Sequence, residues 1–232
     1  MRRDARAAPA ASLRAPSGAR SRSRQPRADA AREALLAAAE SVFARAGYDG
    51  ATTAAIAAAA GLPKANLHYH YGSKQALYRE VLAHTLHEWL VPMDGLVAQA
   101  EPRRALEAYV RAKMAMSAGR PDASRVFANE LLHGAPVLGD LMRGELRATV
   151  RRKAAVIDGW IAAGRMAPVD ATHLFFSIWA ITQTYADFDV QVRAVLGRAK
   201  LGARDHRRAA DHVVTLVLRG CGLEAEGSPT RG

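Results

Sequence analysis

Between Asp29 and Gly72 the chain reads as three short helical stretches, each stopped by a glycine, and no other feature narrows the fold so far. Leu35, Leu36, Ala39, Val42 and Phe43 recur at the helical period over residues 29–46, and Gly47 ends the run. Thr52 or Thr53 can cap a second helix reaching Ala60, which Gly61 stops. A third opens on Pro63, whose missing N–H costs nothing at a first helical position, and closes at Gly72. Three helices in about 45 residues, with a glycine-bearing turn between the second and third, have helix-turn-helix spacing.

The rest of the chain continues in the same period. Ser73 caps a longer helix over residues 73–91, and Pro92 biases the backbone out of it. Further helices are expected over residues 102–117, 121–133, 137–163, 170–196 and 203–220, with Asp170 as a good N-cap. β-Branched residues never alternate between turns, so strands are not expected. The expectation is an all-α chain: a three-helix head at 29–75 and a helical ligand-binding and dimerisation bundle at 76–222, with a flexible tail at 223–232.

Composition excludes several classes. Half of the 232 residues are hydrophobic, too many for a disordered chain, yet no apolar run approaches the ~18–20 residues of a membrane span. Cys221 has no partner for an internal disulfide and makes a cysteine metal site unattractive; that usage suits a reducing cytoplasm. The net charge of +11 is unevenly spread. Residues 1–28 hold eight Arg against one Asp, a balance of +7, in a Pro/Ser/Ala-rich leader without hydrophobic period. Such a leader is expected to be disordered when free. It reads as a phosphate-binding arm, as an Arg-rich transit peptide, or as a solubilising tail.

The third helix carries the chemistry. Lys64-Ala65-Asn66-Leu67-His68-Tyr69-His70-Tyr71 offers Leu67 and an aromatic face or two to a core, and presents Lys, Asn and His outward. A major groove is read by such groups: Asn pairs with adenine edges, while Lys, Tyr and His reach phosphates. The alternative is an aromatic-rich core helix, but two His, an Asn and a Lys on two turns are hard to bury unpaired.

A second informative stretch is 170–188. It is apolar nearly all round and so reads as buried, with Phe176, Trp179, Gln183 and Asp187 on one face. One turn from a Trp, a buried Gln suits a pocket for a flat, amide-bearing ligand, its amide pairing with a lactam N–H and C=O. Equally, Gln183 can bond neighbouring helices in a dimer interface. Trp89, one turn before Pro92, is a second wall or core filling.

Two other classes compete. His84 and His87, with Glu80 and Glu88 nearby, have a spacing that can bind metal, but Glu88 is expected to face elsewhere and no third ligand is evident. Neither a phosphate-binding loop nor a nucleophile elbow appears, so an enzyme is disfavoured. An architectural DNA binder would explain the basic leader but not the Trp/Gln helix.

The stretch from Ala46 to Leu62 resembles the helix-turn-helix of the tetracycline-repressor (TetR) family, and His68-Tyr69-His70-Tyr71-Gly72-Ser73-Lys74-Gln75-Ala76-Leu77 is similar to that family's aromatic signature. The resemblance implies an all-α homodimeric cytoplasmic regulator that binds double-stranded operator DNA and a small-molecule effector, without cofactor, metal or membrane. It implies backbone contacts at Thr53, Lys64, Tyr69, His70 and Lys74, and base-facing positions at Asn66 and His68. Pro63, Ala65 and His68 depart from the usual residues. Further segments, 88–93, 123–136 and 178–188, are similar to the pyrimidine-utilisation regulators of the family, repressors that respond to uracil or thymine. That likeness implies an effector pocket lined by Trp89, Trp179 and Gln183.

Beside such a head the leader reads as a DNA-contacting arm. Deleting residues 1–24 is expected to flatten the dependence of log K on log salt; an unchanged slope would exclude the arm from phosphate contact.

Overall fold

The computed structural model describes residues 24–223, which are helical nearly throughout. Any arm at residues 1–23 and the tail from 224 lie outside them. Helix α1 (Arg24–Gly50) begins five residues before Asp29, so the last residues of the expected arm are helical. Ala, Arg and Gln all favour helix, and Pro26 lies in the first turn, where its missing N–H is harmless. The helix breaks at Gly47, where φ is 67°, a conformation that L side chains rarely adopt.

Helices α2 (Thr53–Ala59) and α3 (Lys64–Tyr71) complete the head. Thr52 caps α2, its Oγ1 accepting from Ala55 N at 3.0 Å. Pro63 sits one residue before α3 rather than inside it, and its carbonyl accepts from Asn66 N at 2.9 Å. Leu35, Ala39, Phe43, Ile56 and Leu67 close the core of the head. Around Phe43 pack Tyr78, edge-on at 4.9 Å between ring centres, and Tyr48.

Helix α4 (Lys74–Leu90), capped by Ser73, runs from the head into the body. A 3-10 turn, Val91–Gly95, follows it with Pro92 inside. The body is built from α5 (Pro102–Gly119), α6 (Pro121–Leu132), α7 (Arg147–Ala162), α8 (Ala171–Asp187), α9 (Asp189–Leu196) and α10 (Ala203–Gly220). Helix α5 packs on α8 and α10, whereas α6 is wedged between α8 and the head-side helices α1 and α4.

Three expectations change. The helix expected over 137–163 starts at Gly139 and passes through a π-helical turn, Met142–Leu146, before α7. The one expected over 170–196 breaks at Phe188, where φ −110° and ψ 30° leave helical geometry. The stretch 170–188 is also not buried all round: Phe176 on α8 is 50% exposed, and Phe188, just past the end of that helix, 58%.

Phe43 joins the two aromatic neighbours that tie α1 to α4. Phe43→Ala is expected to cost about 3–5 kcal/mol in denaturant unfolding; a loss below about 1 kcal/mol would show that the head core does not rest on this ring.

Candidate DNA-reading head and effector cavity

The face of α3 carries the residues expected to read DNA. Lys64, His68 and Tyr69 are exposed, Tyr69 at 82%, while Asn66 and His70 are half-buried and Leu67 is sealed in the core. The side chains of Lys64 and Asn66 make no hydrogen bond to any described residue. His68 Nδ1 donates to Gly72 O at 3.1 Å, so the imidazole caps the end of α3 and only Nε2 is left for an outside partner. Tyr71 OH donates to Arg32 O at 2.9 Å, which pins the back of α3 to α1. Burial raises the Tyr71 pKa, with the Arg32 charge opposing.

Thr53 opens α2, half-buried beside the cap. Lys74 is placed differently from the other candidates. Its Nζ donates to Tyr48 O at 2.8 Å and Ala51 O at 3.0 Å and lies 4.4 Å from the Tyr48 ring centre. The ammonium therefore satisfies carbonyls freed by the break at Gly47 and holds the turn into α2.

The second site lies in the body. Trp89 at the end of α4, Phe127 and Leu131 on α6, Lys113 on α5, Met142 and Leu146 on the π turn, and Trp179 and Gln183 on α8 line a partly open cavity of about 70 Å3. All three residues expected there from the sequence are brought together. Trp179 Nε1 donates to Tyr109 OH at 2.7 Å, which fixes the indole. Trp89 packs against Phe127 at 4.7 Å between ring centres. No described residue hydrogen-bonds the Gln183 amide.

Lys113 was not expected. It is 2% exposed, its Nζ 3.9 Å from the Trp89 ring centre, and no described residue accepts a hydrogen bond from it. Burial pushes the amine down to about 7, with Asp187 on α8 pulling weakly the other way. Asp187 is itself raised by burial while it accepts from Ser124 Oγ at 2.6 Å. A signal was present in the sequence: Lys113 falls at helical spacing on the face of Leu106, Tyr109 and Val110, where an aliphatic residue belongs. Phe127 and Leu131 carried no such mark.

The expected orientation of Glu88 is corrected. Its Oε1 lies 3.4 Å from His84 Nε2, since the two are one helical turn apart, and its other oxygen pairs with Arg120. No group of three metal-ligating side chains occurs among the described residues, and no helix of theirs is long and apolar enough to cross a membrane.

A helix-turn-helix head joined by one helix to a body with a partly open aromatic cavity defines a ligand-responsive DNA-binding regulator. Residues 35–81 match the model of bacterial regulatory proteins of the tetR family, and residues 82–224 match that of the YcdC-like protein C-terminal region. The chain is 40% identical over 191 residues to the HTH-type transcriptional regulator RutR of Escherichia coli K12, covering 82% of this chain and 90% of that one. Two solved structures share the fold: a tetR-family regulatory protein from Rhodococcus RHA1 (TM-score 0.64, 23% identity, 82% of this chain and 95% of that one) and PfmR from Thermus thermophilus (TM-score 0.63, 20% identity, 82% and 99%). The chain belongs to the TetR family of transcriptional regulators; it is not an enzyme.

The buried amine has a measurable sign. Lys113 is largely neutral in the folded protein above pH 7 but charged in the unfolded chain up to about pH 10.5, so unfolding takes up a proton in that window. The stability of the wild type relative to Lys113→Met should therefore rise with pH between 7 and 9.5, by up to roughly 1 kcal/mol per pH unit. Urea midpoints of the two proteins that run parallel across this range would show that the amine is not buried.

Proposed function

We propose that this regulator is a homodimeric repressor released from its operator by a small planar amide such as uracil or thymine. The observation that carries this reading is the pairing of two unsatisfied polar groups, the Gln183 amide and the Lys113 amine, with two indoles around one small cavity. Lys113 is nearly sealed and Gln183, expected to be buried, is half-buried; a polar group held away from water without a partner is costly, so the cavity favours a ligand that supplies complementary groups. A pyrimidine-dione does so: one lactam edge pairs with the Gln183 amide, another carbonyl accepts from Lys113, and the ring lies against Trp89 and Trp179. Likeness to the pyrimidine-utilisation regulators supports the same chemistry.

Size is compatible with it: the cavity measures about 70 Å3, and it shares Met142, Leu146 and Trp179 with a neighbouring cleft of about 370 Å3.

In the head, Asn66 and His68 read base edges, and Thr53, Lys64, Tyr69 and His70 contact the backbone, while Lys74 supports them by holding the turn. A two-fold operator requires two recognition helices about one DNA turn, ~34–36 Å, apart. The exposed Phe176 on α8 and Leu216 on α10, at 50% and 49%, give a second copy an apolar face to cover.

Uracil or thymine should raise the melting temperature through linkage, and unrelated ligands of equal size should not. Gln183→Ala is expected to weaken that response at least tenfold and leave effector-free DNA binding intact. Loss of both together would assign Gln183 to the structure instead.

A further inference from the structure

Arg120 occupies the corner between α5 and α6, as the C-cap of one and the N-cap of the other. Its backbone N–H donates to Met116 O at 2.8 Å, so the corner itself is held independently of the side chain. The guanidinium reaches in two directions. Nη2 pairs with Glu40 Oε1 on α1, and Nη1 pairs with Glu88 Oε2 on α4. Glu40 is nearly buried, its side chain 10% exposed, so its carboxylate depends on this guanidinium for charge compensation. Glu88 is more exposed, at 37%, and shares His84 as a second neighbour.

One planar fork thus joins the head helix, the body corner and the far end of the connecting helix. The residue after Glu88 is Trp89, whose indole carries Phe127 at 4.7 Å and the Lys113 amine at 3.9 Å. A ring seated between Trp89 and Trp179 bears on the Trp89 indole and on the Lys113 amine, and any shift of that indole carries Glu88 with the same helical turn. A rigid fork can hold both carboxylates at only one separation, so a shift of Glu88 away from Glu40 breaks the weaker, more exposed contact rather than stretching both. That makes the bridge two-state, which a coupling element must be.

We propose that Arg120 is a positioning residue that couples the effector cavity to the DNA-binding head, through its simultaneous hold on Glu40 and Glu88. The inference rests on the effector reading above, and the test keeps the two apart. Two variants spare the buried Glu40: Glu88→Gln removes only the α4 side of the bridge, and Arg120→Lys keeps a positive charge at Glu40 but not the fork. The DNA is a duplex enriched from random sequence by the wild-type protein, and the small-molecule probe is uracil.

Two readouts are taken. First, DNA is titrated into each protein without uracil while tryptophan emission, to which the cavity's Trp89 and Trp179 contribute, is followed. By reciprocity the wild type should show a change that both variants lose, although their DNA affinities stay within about threefold. Second, the DNA affinity is measured with and without saturating uracil. The ratio, typically ~5–150-fold in coupled regulators, should fall toward one in both variants while uracil affinity itself stays within about threefold. Retention of the emission change by both variants, or of the ratio by both, overturns the proposal. A parallel loss of DNA affinity, uracil affinity and melting temperature overturns it as well, by showing a merely structural role. A wild type that ignores uracil overturns the effector reading alone, because the emission readout judges Arg120 without it.

Discussion

Helix α4 has to pack along a core that runs unbroken from the head into the body, and the remaining architecture follows from that constraint. Leu77, Tyr78 and Val81 are sealed with Phe43 in the head; Leu86 and Leu90 are sealed in the body. Its 17 residues span about 25 Å, fixed at one end by the Ser73 cap and at the other by the 3-10 turn around Pro92. Neither end can shift without disturbing a packed set of side chains. A displacement at Trp89 is therefore felt by the head instead of being absorbed in a flexible joint.

Helix α6 gives α4 its lateral support. Its Glu130 is 3% exposed; Oε1 accepts from Val137 N at 2.6 Å and Leu138 N at 3.0 Å, and Oε2 accepts from Tyr78 OH at 3.1 Å. One buried carboxylate thus settles the loop after α6 and fastens it to the aromatic cluster of the head. On the neighbouring faces of α6, Phe127 and Leu131 line the cavity. The same helix touches the ligand-sized space and the DNA-side core, which is why a small cavity can matter to a distant surface.

Polar groups are treated in opposite ways at the two sites. In the head, Lys74, His68 and Tyr71 direct their donors to backbone carbonyls and hold the recognition helix in place. Around the cavity, Trp179 is satisfied by Tyr109, whereas Gln183 and Lys113 have no described partner. Rigid presentation suits a surface that must match the fixed spacing of DNA, and unsatisfied groups suit a space that must discriminate among small molecules.

Local patterning was sufficient for the helices of the head, because glycine stops, the Thr52 and Ser73 caps and the proline at 63 act within a few residues. That Trp89, Trp179 and Gln183 line one cavity was implied by the family resemblance, since their local pattern alone suits core filling or a dimer interface equally well. Lys113 could have been found from the sequence, as a charge on an apolar helix face. The break at Phe188 could not, and the π turn at Met142–Leu146 was marked only by Gly144, which weakens a helix without saying how it is interrupted. Nor could the hold of Arg120 on Glu40 and Glu88, which are 80 and 32 positions away and carry charges common on any surface helix. Which segments are helical, and which face of each is apolar, can be read from the order of residues, because both depend on neighbours within a turn. Which polar groups meet, and which are left without a partner, follows only from packing, because it depends on how separate helices are oriented in the core.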